Sequence, residues 1–232
     1  MKLELVFATL HWPGYRECID SWGCGLVVGN WRARVMENGV TGQSLLESYQ
    51  TAFEQSDADI LGYLHDDLVC LDPAWYPRLI AQFDSPDVGL AGFGGALGHG
   101  DPEMYRKPYE LPQLARRTFL SNLREAEVHG QRFAGECDVA VLDGFSLFLR
   151  REVLVRAGGW PLHTPVGYIS YDYWACCMTR ELGYRIRLVG VACDHLGGKS
   201  SGLNPNLDLH WEEAHRYIYD RFQNVLPYRV AG

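Results

Sequence analysis

Two adjacent carboxylates, Asp66 and Asp67, follow His65 at the end of a strand-like apolar run, Ile60–Leu64. An unpaired buried carboxylate loses its hydration, so each charge needs a partner or a metal ion. Oxygen ligands beyond a strand end of an α/β sheet can hold a divalent cation that in turn binds a phosphate. A turn in which one Asp caps the next helix is the alternative, and the triplet alone does not separate the two.

Asp172 is the candidate proton acceptor, because it lies at the predicted start of a helix. The helix dipole favours an ionised carboxylate there, which predicts a general base at neutral pH. A first-turn Asp that only stabilises its helix is the common alternative. The catalytic interpretation is favoured by a surrounding aromatic cluster that offers flat surfaces for a sugar or a base: Tyr168, Tyr171, Tyr173 and Trp174.

His195 follows a strand-like run and leads into a Gly/Ser loop, residues 197–202, that contains Lys199. Imidazole can complete a metal site that carboxylates begin. A Gly/Ser loop with one Lys can hold a diphosphate through its backbone amides. A single His is more often structural than a ligand, but its place before this loop favours ligation. Asp143, which precedes Gly144, is either a turn former or a contact to substrate hydroxyls.

The composition predicts one globular domain: the chain has 232 residues, of which 47% are apolar and 22% charged. The net charge of −8 disfavours a protein that holds nucleic acid mainly through its phosphates. Seven cysteines without a C-x-x-C spacing predict reduced core residues and a cytoplasmic protein. Met1–Leu5 is predicted as strand rather than signal peptide, and no stretch has the length of a membrane span.

Alternating strands and helices position these residues and predict a mainly parallel central sheet covered by helices. Ser44 and Glu47 form a capping box that opens a helix, and residues 94–112 are predicted to form a long flexible lid. The predicted strands are Leu3–Thr9, Arg32–Met36, Ile60–Leu64, Val88–Phe93, Val139–Leu142, Phe145–Leu149 and Arg185–Val191. The other predicted helices are Tyr15–Trp22, Pro73–Phe83, Tyr171–Leu182 and Asp208–Phe222.

Several segments resemble family 2 glycosyltransferases of the GT-A fold. Their nucleotide-binding half is similar to the acid–Asn pair Glu37-Asn38, the run Ser44–Gln50 and the strand that leads to His65-Asp66-Asp67, in the place of the DXD motif. Their acceptor side is similar to residues 141–145, 158–160 and 171–174, and their closing segment to residues 183–185 and 195–198. The resemblance runs from about Leu3 to about Gly202 in the order of the family.

This resemblance implies a single GT-A-like domain over residues 1–232. A nucleotide-sugar-binding half would span residues 1–93, an acceptor and catalytic half residues 94–202, and a C-terminal helix residues 203–232. The resemblance further implies an inverting hexosyltransferase or related enzyme that uses a UDP- or GDP-linked sugar and Mn²⁺ or Mg²⁺. The chain departs from the family in Glu37, where Asp is common, in Gln50, where Asn is frequent, and in His65, which replaces the first Asp of the motif.

The same resemblance implies a role for each candidate site residue. Asp67 and His195 would bind the metal, and Asp66 would contact the ribose or the shell of ligands around the metal. Lys199 is a candidate on chemical grounds, because its charge could neutralise the departing diphosphate. Asp172 would deprotonate the acceptor. The remaining candidates are Thr9 and Glu37 near the nucleoside, and Asp143, Tyr171 and Trp174 for the sugar or acceptor.

Two other functions stay open. A metal-dependent nucleotidyltransferase would need a basic Gly-rich segment after the first strand, where this chain has one basic residue among aromatics, residues 10–16. A non-catalytic nucleotide-sugar-binding module would not need Asp172. The acceptor also stays open among a glycan, a lipid-linked glycan, a metabolite, a protein and a modified DNA base, as does the oligomeric state.

Overall fold

The computed structural model describes residues 1–23, 30–100, 119–121, 131–133, 135–197 and 211–230. In chain order its strands are β1 (Leu3–Thr9), β2 (Trp31–Glu37), β3 (Ile60–His65), β4 (Leu68–Cys70), β5 (Val88–Gly92), β6 (Gly94–Ala96), β7 (Gly98–His99), β8 (Phe119–Ser121), β9 (Gln131–Arg132), β10 (Cys137–Asp138), β11 (Val141–Leu142), β12 (Ser146–Arg150), β13 (Arg185–Leu188), β14 (Cys193–His195) and β15 (Tyr228–Arg229). Its helices are α1 (Tyr15–Asp20), α2 (Asn38–Thr41), α3 (Leu45–Gln55), α4 (Trp75–Gln82), α5 (Arg151–Ala157), α6 (Tyr171–Glu181) and α7 (Trp211–Arg221).

The central sheet has the strand order β10-β13-β5-β12-β3-β1-β2. All of its strands except β10 and β12 point the same way, because β1 is parallel to β2 and β3, and β13 is parallel to β5. β12 lies antiparallel between β3 and β5. The predicted mainly parallel α/β sheet is therefore confirmed, and its parallel strands bring Thr9, Glu37 and His65 to one edge.

Burial explains why these segments form the strands and helices that they do. The side chains of Ile60–Leu64 in β3 are all buried, as expected for a strand covered on both faces. The predicted capping box of α3 is confirmed: the Glu47 amide donates to the Ser44 hydroxyl at 3.3 Å, and the Ser44 amide donates to the Glu47 carboxylate at 2.7 Å. The cap fixes the start of α3 beside the end of β2.

The prediction of a flexible lid that begins at Gly94 is wrong for residues 94–100. Gly94–Ala96 and Gly98–His99 are buried short strands, which pair with β8 and β11 and with β15. A Cβ on Gly95 would lie 2.4 Å from the Val141 carbonyl oxygen, so glycine here permits a close approach of two backbones. The rest of the predicted lid, residues 101–112, lies outside the described residues.

The C-terminal helix was predicted over Asp208–Phe222, and α7 spans Trp211–Arg221. No helix in the described ranges is both long enough and apolar enough to cross a bilayer. The division into halves at residues 93 and 202 stays a prediction.

Candidate active site

His65, Asp67 and His195 come together at the carboxyl edge of the central sheet. His65 ends β3, and Asp67 lies in the turn between β3 and β4. His195 ends β14, which pairs antiparallel with β4 so that His195 lies opposite Leu68. The Leu196 amide also donates to the Asp67 carbonyl at 3.1 Å. Strand pairing therefore places two distant parts of the chain side by side.

The side chains of these three residues form a small triangle, which we call the site cluster. Asp67 Oδ1 lies 3.1 Å from His195 Nε2 and 3.8 Å from His65 Nδ1. The two histidine nitrogens are 3.2 Å apart. One ligand atom from each residue lies within 4.8 Å of the other two. A carboxylate with two imidazoles is a ligand set that divalent transition metals use.

A hydrogen-bond chain fixes the orientation of His65. The Tyr171 hydroxyl donates its one proton to the Gly144 carbonyl at 2.7 Å. The same hydroxyl lies 2.9 Å from His65 Nε2 and can only accept a hydrogen bond there, because its proton is already donated. His65 Nε2 therefore carries a proton. His65 Nδ1 therefore presents its lone pair to Asp67 and His195. His65 was not among the metal ligands predicted from the sequence, although its position as the first residue of the triplet makes it a candidate.

The charges in the site cluster favour a cation. Burial raises the pKa of Asp67, but the hydrogen bond and the charge of His195 lower it overall. Burial lowers the pKa of His195, but the hydrogen bond and the charge of Asp67 raise it overall. Burial, with a smaller effect from His195, lowers the pKa of His65 to about 4. His65 is thus neutral near neutral pH, the state in which its imidazole could bind a metal ion.

Asp66 is almost fully buried next to the site cluster, at 2% exposure. Burial raises its pKa, the charge of Asp67 adds to this effect, and hydrogen bonds with Thr9 and Trp12 oppose it. Its Oδ2 has no hydrogen-bond partner within the described part of the chain. A buried oxygen of this kind calls for a ligand or an ordered water. Thr9 and Asp66, which were both predicted to contact the donor, therefore lie next to each other in the structure.

Asp172 lies in the first turn of α6 and accepts two backbone hydrogen bonds, from Gly144 at 3.1 Å and from Tyr173 at 2.9 Å. Burial and then the charge of Asp143 raise its pKa to about 7. The predicted helix start was expected to favour the ionised form of Asp172. The backbone amides do lower its pKa, but burial and Asp143 outweigh them. Asp143 also forms a turn, since its Oδ1 accepts from the Phe145 amide at 3.2 Å.

Gly144 connects the two groups of residues. Its amide donates to Asp172, and its carbonyl accepts from Tyr171, which holds His65. A Cβ at this position would lie 2.4 Å from the Tyr171 hydroxyl oxygen, so only glycine fits. One residue, Gly144, therefore contacts both the candidate base and the tyrosine that orients His65.

Tyr171 and Trp174, predicted as surfaces for a sugar or an acceptor, are 3% and 4% exposed. Both rings pack against Trp160, so neither presents a face to a ligand in this structure. Tyr168 is 37% exposed and is the accessible member of the predicted aromatic cluster. Burial, then the charges of Asp67 and Asp66, raise the pKa of its phenol.

A cavity of about 510 Å³ opens beside the ends of β1 and β2. Its walls come from Thr9, Asn38, residues 43–47 at the start of α3, and the loop from Leu162 to Tyr168. Glu37, the other residue predicted near the nucleoside, lies beside this wall, with its carboxylate 3.6 Å from His11 Nε2. Lys199 lies outside the described residues.

Comparison with known proteins gives a family and a fold. Residues 36–198 match the model of a family described as "Glycosyltransferase like family". Among curated proteins, a 71-residue stretch is 34% identical to a phosphate acyltransferase of Shouchella clausii strain KSM-K16 and covers 31% of this chain. That stretch spans only 20% of the curated relative, so it indicates nothing about the family or activity of the whole chain.

Solved structures share the overall fold at low sequence identity. GalNAc-T7 with UDP, GalNAc and Mn²⁺ is 11% identical with a TM-score of 0.57, over 96% of this chain and 50% of that one. The mannosyltransferase PcManGT from Pyrobaculum calidifontis, in complex with GDP-Man and Mn²⁺, is 13% identical with a TM-score of 0.52, over 94% of this chain and 70% of that one. The predicted GT-A fold is confirmed.

Proposed function

Because this chain belongs to the glycosyltransferase-like family, we propose that it transfers a sugar from a nucleotide-diphospho-sugar to an acceptor hydroxyl with inversion at the anomeric carbon. One observation supports the proposal: Gly144 contacts the carboxylate of Asp172 through its amide, and through its carbonyl it contacts Tyr171, which orients His65 in a triangle of atoms that could ligate a metal. A metal ion in the site cluster would stabilise the departing diphosphate, and the carboxylate of Asp172 would accept the proton of the attacking hydroxyl.

The site cluster would hold a divalent cation through His65 Nδ1, Asp67 Oδ1 and His195 Nε2. Two nitrogen ligands favour Mn²⁺ over Mg²⁺, since Mg²⁺ prefers an all-oxygen shell. The orphaned Oδ2 of Asp66 adds a hydrogen-bond acceptor for a ribose hydroxyl or a metal-bound water. When bound, the cation supplies positive charge that stabilises the departing diphosphate.

Asp172 would accept the proton. The acceptor oxygen forms a bond to the anomeric carbon while the bond from that carbon to the diphosphate oxygen breaks. The electron pair of the broken bond leaves with the diphosphate, and the hydroxyl proton goes to the carboxylate of Asp172. A base with a pKa of about 7 binds that proton well and is still substantially ionised at neutral pH. The amides of Gly144 and Tyr173 hold the carboxylate in place.

The cavity beside β1 and β2 would hold the nucleoside, with Thr9 on its wall. Tyr168 also lines this cavity, and its phenol is influenced by the charges of Asp66 and Asp67. It would therefore lie between the nucleoside and the diphosphate. In the proposed complex Tyr168 takes the role of a contact surface that the sequence analysis gave to Tyr171 and Trp174.

Asp172→Asn tests the proposal. A thermal-shift screen of UDP- and GDP-sugars, with and without Mn²⁺, first identifies a donor, since ligands that bind the folded state raise Tm. We then expect the variant to bind that donor normally and to lose about 10²–10⁴-fold in turnover, measured as release of the nucleoside diphosphate. Wild-type turnover should rise with pH up to about 7 and then level off, because Asp172 must be ionised.

Asp220→Asn, a change of the same kind on the exposed side of α7, is the matched control and should leave turnover unchanged. Failure of every nucleotide-sugar to bind in the presence of Mn²⁺ would contradict the proposal. Donor binding without turnover under any condition would favour a non-catalytic binding module. Release of pyrophosphate from a nucleoside triphosphate would favour the nucleotidyltransferase alternative.

A further inference from the structure

Cys70 and Cys193 face each other across the two-stranded ribbon that β4 and β14 form. The antiparallel register places the two residues directly opposite each other, so both side chains lie on the same face of the ribbon. Cys193 is fully buried, Cys70 is partly exposed, and both are free thiols in this structure. No spacing in the sequence indicates this pair, because the two cysteines are far apart in the chain.

The backbone hydrogen bonds show that the two cysteines lie where side chains approach each other closely. The Leu71 amide donates to the Ala192 carbonyl at 3.0 Å, which makes these two residues a hydrogen-bonded pair. Such pairs alternate along an antiparallel ladder, so the next pair, Cys70 and Cys193, is not hydrogen-bonded. In agreement, the Cys70 amide donates away from β14, to the Ser21 hydroxyl at 2.8 Å. The Cα atoms of such a pair are about 4.5 Å apart, a distance that a disulfide can span.

Cys70 is the member of the pair that a small reagent can reach. It lines a cavity of about 370 Å³, whose walls also include Ser21, Asp72 and Trp75. Its thiol donates a weak hydrogen bond to the Asp72 carbonyl at 3.4 Å. Burial raises the pKa of Cys70 to about 11 and raises the pKa of Cys193 further. Because thiolate is scarce at neutral pH, we expect the pair to react slowly.

We propose that Cys70 and Cys193 are a modification site, at which a small oxidant such as hydrogen peroxide converts the two thiols to a disulfide. The Cys70 sulfur attacks one peroxide oxygen, the O–O bond breaks, and the released hydroxide takes the thiol proton to become water. The Cys193 sulfur then attacks the sulfur of the Cys70 sulfenic acid. The S–S bond forms, the S–O bond breaks, and the second hydroxide leaves as water with the proton of Cys193. The two thiols thus lose two electrons and two protons, and the peroxide is reduced to two waters.

The disulfide would crosslink the two strands that position the site cluster. Asp67 directly precedes β4, and His195 ends β14 two residues after Cys193. A crosslink between residues that are far apart in the chain stabilises the folded state, mainly because it restricts the unfolded chain. We therefore expect the oxidised protein to have a Tm that is about 4 °C or more above that of the reduced protein.

The experiment treats the whole chain with hydrogen peroxide in a metal-free buffer and maps its disulfides by mass spectrometry after proteolysis without reductant. We expect a linked pair of peptides that contain Cys70 and Cys193, and we expect dithiothreitol to separate them. Thermal unfolding before and after the treatment measures the rise in Tm. Hydrogen exchange of the Leu71 and Leu196 amides, which donate across the ribbon, should slow by at least about threefold on oxidation.

Cys70→Ala should abolish the linked peptides, the rise in Tm and the slower exchange. Cys193→Ala provides a second variant with the same expected result. Cys137→Ala is the matched control, because Cys137 is also a partly exposed cysteine in a strand but lies opposite Leu188. Its removal should leave the disulfide and the rise in Tm unchanged.

A wild-type protein in which both cysteines stay reduced, or are oxidised to sulfinic acids without a linked pair of peptides, would overturn this inference. A disulfide between Cys70 and any other cysteine would do the same, as would a linked pair of peptides whose formation leaves both Tm and amide exchange unchanged. Each of these results leaves the proposed function standing, because neither a nucleotide nor a metal takes part in the oxidation.

Discussion

The described part of the chain contains two clusters of histidines that differ in the charged residue beside them. In the site cluster, His65 and His195 surround the carboxylate of Asp67. The second, which we call the core cluster, consists of His99, Arg180 and His215. There the Arg180 guanidinium donates to His99 Nδ1 at 2.7 Å, and the Tyr173 ring lies 5.4 Å from both imidazole rings.

The charged partner decides what each cluster can bind. Asp67 raises the pKa of His195, whereas burial, Arg180 and His215 lower the pKa of His99 well below its usual value. Burial also lowers the pKa of His215 to about 4. A positive charge is therefore favoured on His195, next to Asp67, and opposed on His99, next to Arg180. Two neighbouring imidazoles do not make a candidate metal site by themselves, and the site cluster differs from the core cluster by the carboxylate of Asp67.

Removal of that carboxylate should have the largest effect. We expect Asp67→Ala to abolish detectable Mn²⁺ binding and to reduce turnover by about 10²–10³-fold, because the departing diphosphate loses charge stabilisation worth several kcal/mol. Titration of Mn²⁺ followed by electron paramagnetic resonance measures the first effect, and release of nucleoside diphosphate measures the second. Cys177→Ala, next to the core cluster, is the control and should bind Mn²⁺ normally. Normal Mn²⁺ affinity in Asp67→Ala would show that the metal binds elsewhere.

The site cluster was only partly predictable from the sequence. Asp67 follows a strand and His195 ends one, and strand ends at one edge of a sheet are where α/β proteins place their ligands. His65 was not predicted as a candidate ligand because the orientation of its imidazole depends on the hydroxyl of Tyr171, which lies far away in sequence. No local pattern encodes that hydrogen bond. The pKa of Asp172 likewise depends on burial and on Asp143, and both arise only when the chain is folded.

The fold shows the same division between local and long-range signals. Strand β3 and the capping box of α3 are encoded by neighbouring residues, and both were predicted at nearly the correct positions. The segment that begins at Gly94 was predicted as a loop because it is rich in glycine. Its strands form through pairing with β11 and β15, which come much later in the chain. Exposure of an aromatic side chain is equally a long-range property, so the sequence could not separate exposed Tyr168 from buried Tyr171.

A smaller loss of Mn²⁺ affinity is expected when Asp67 is kept and only the orientation of His65 is disturbed. Tyr171→Phe removes the acceptor for the Nε2 proton of His65, so the imidazole can rotate or change tautomer. We expect the affinity for Mn²⁺ to fall by about 10–100-fold, as for other outer-shell partners of metal ligands. Tyr173→Phe, two residues further along α6 and packed against the core cluster, is the matched control. Equal Mn²⁺ affinities in the two variants would show that Tyr171 does not orient His65.

The core cluster should affect how the stability of the protein depends on pH rather than its affinity for metal. His215→Gln tests this, and its expected effect is the smallest. Because burial holds the folded-state pKa of His215 near 4, against 6.5 ordinarily, the unfolded chain binds more protons between these values. The folded state of the wild type therefore loses stability as the pH falls from 6.5 toward 4. At roughly 1.4 kcal/mol per unit of pKa, His215 accounts for at most about 3 kcal/mol of that loss.

Glutamine does not titrate, so the free energy of unfolding of His215→Gln should decline less steeply over the same range. Denaturant unfolding at several pH values measures both curves, and the two should run parallel above about pH 7, where the imidazole is neutral in both states. Parallel curves at acid pH as well would show that His215 takes up its proton in the folded protein. The core cluster would then accept positive charge despite Arg180, and the contrast between the two clusters would no longer follow from their charged partners.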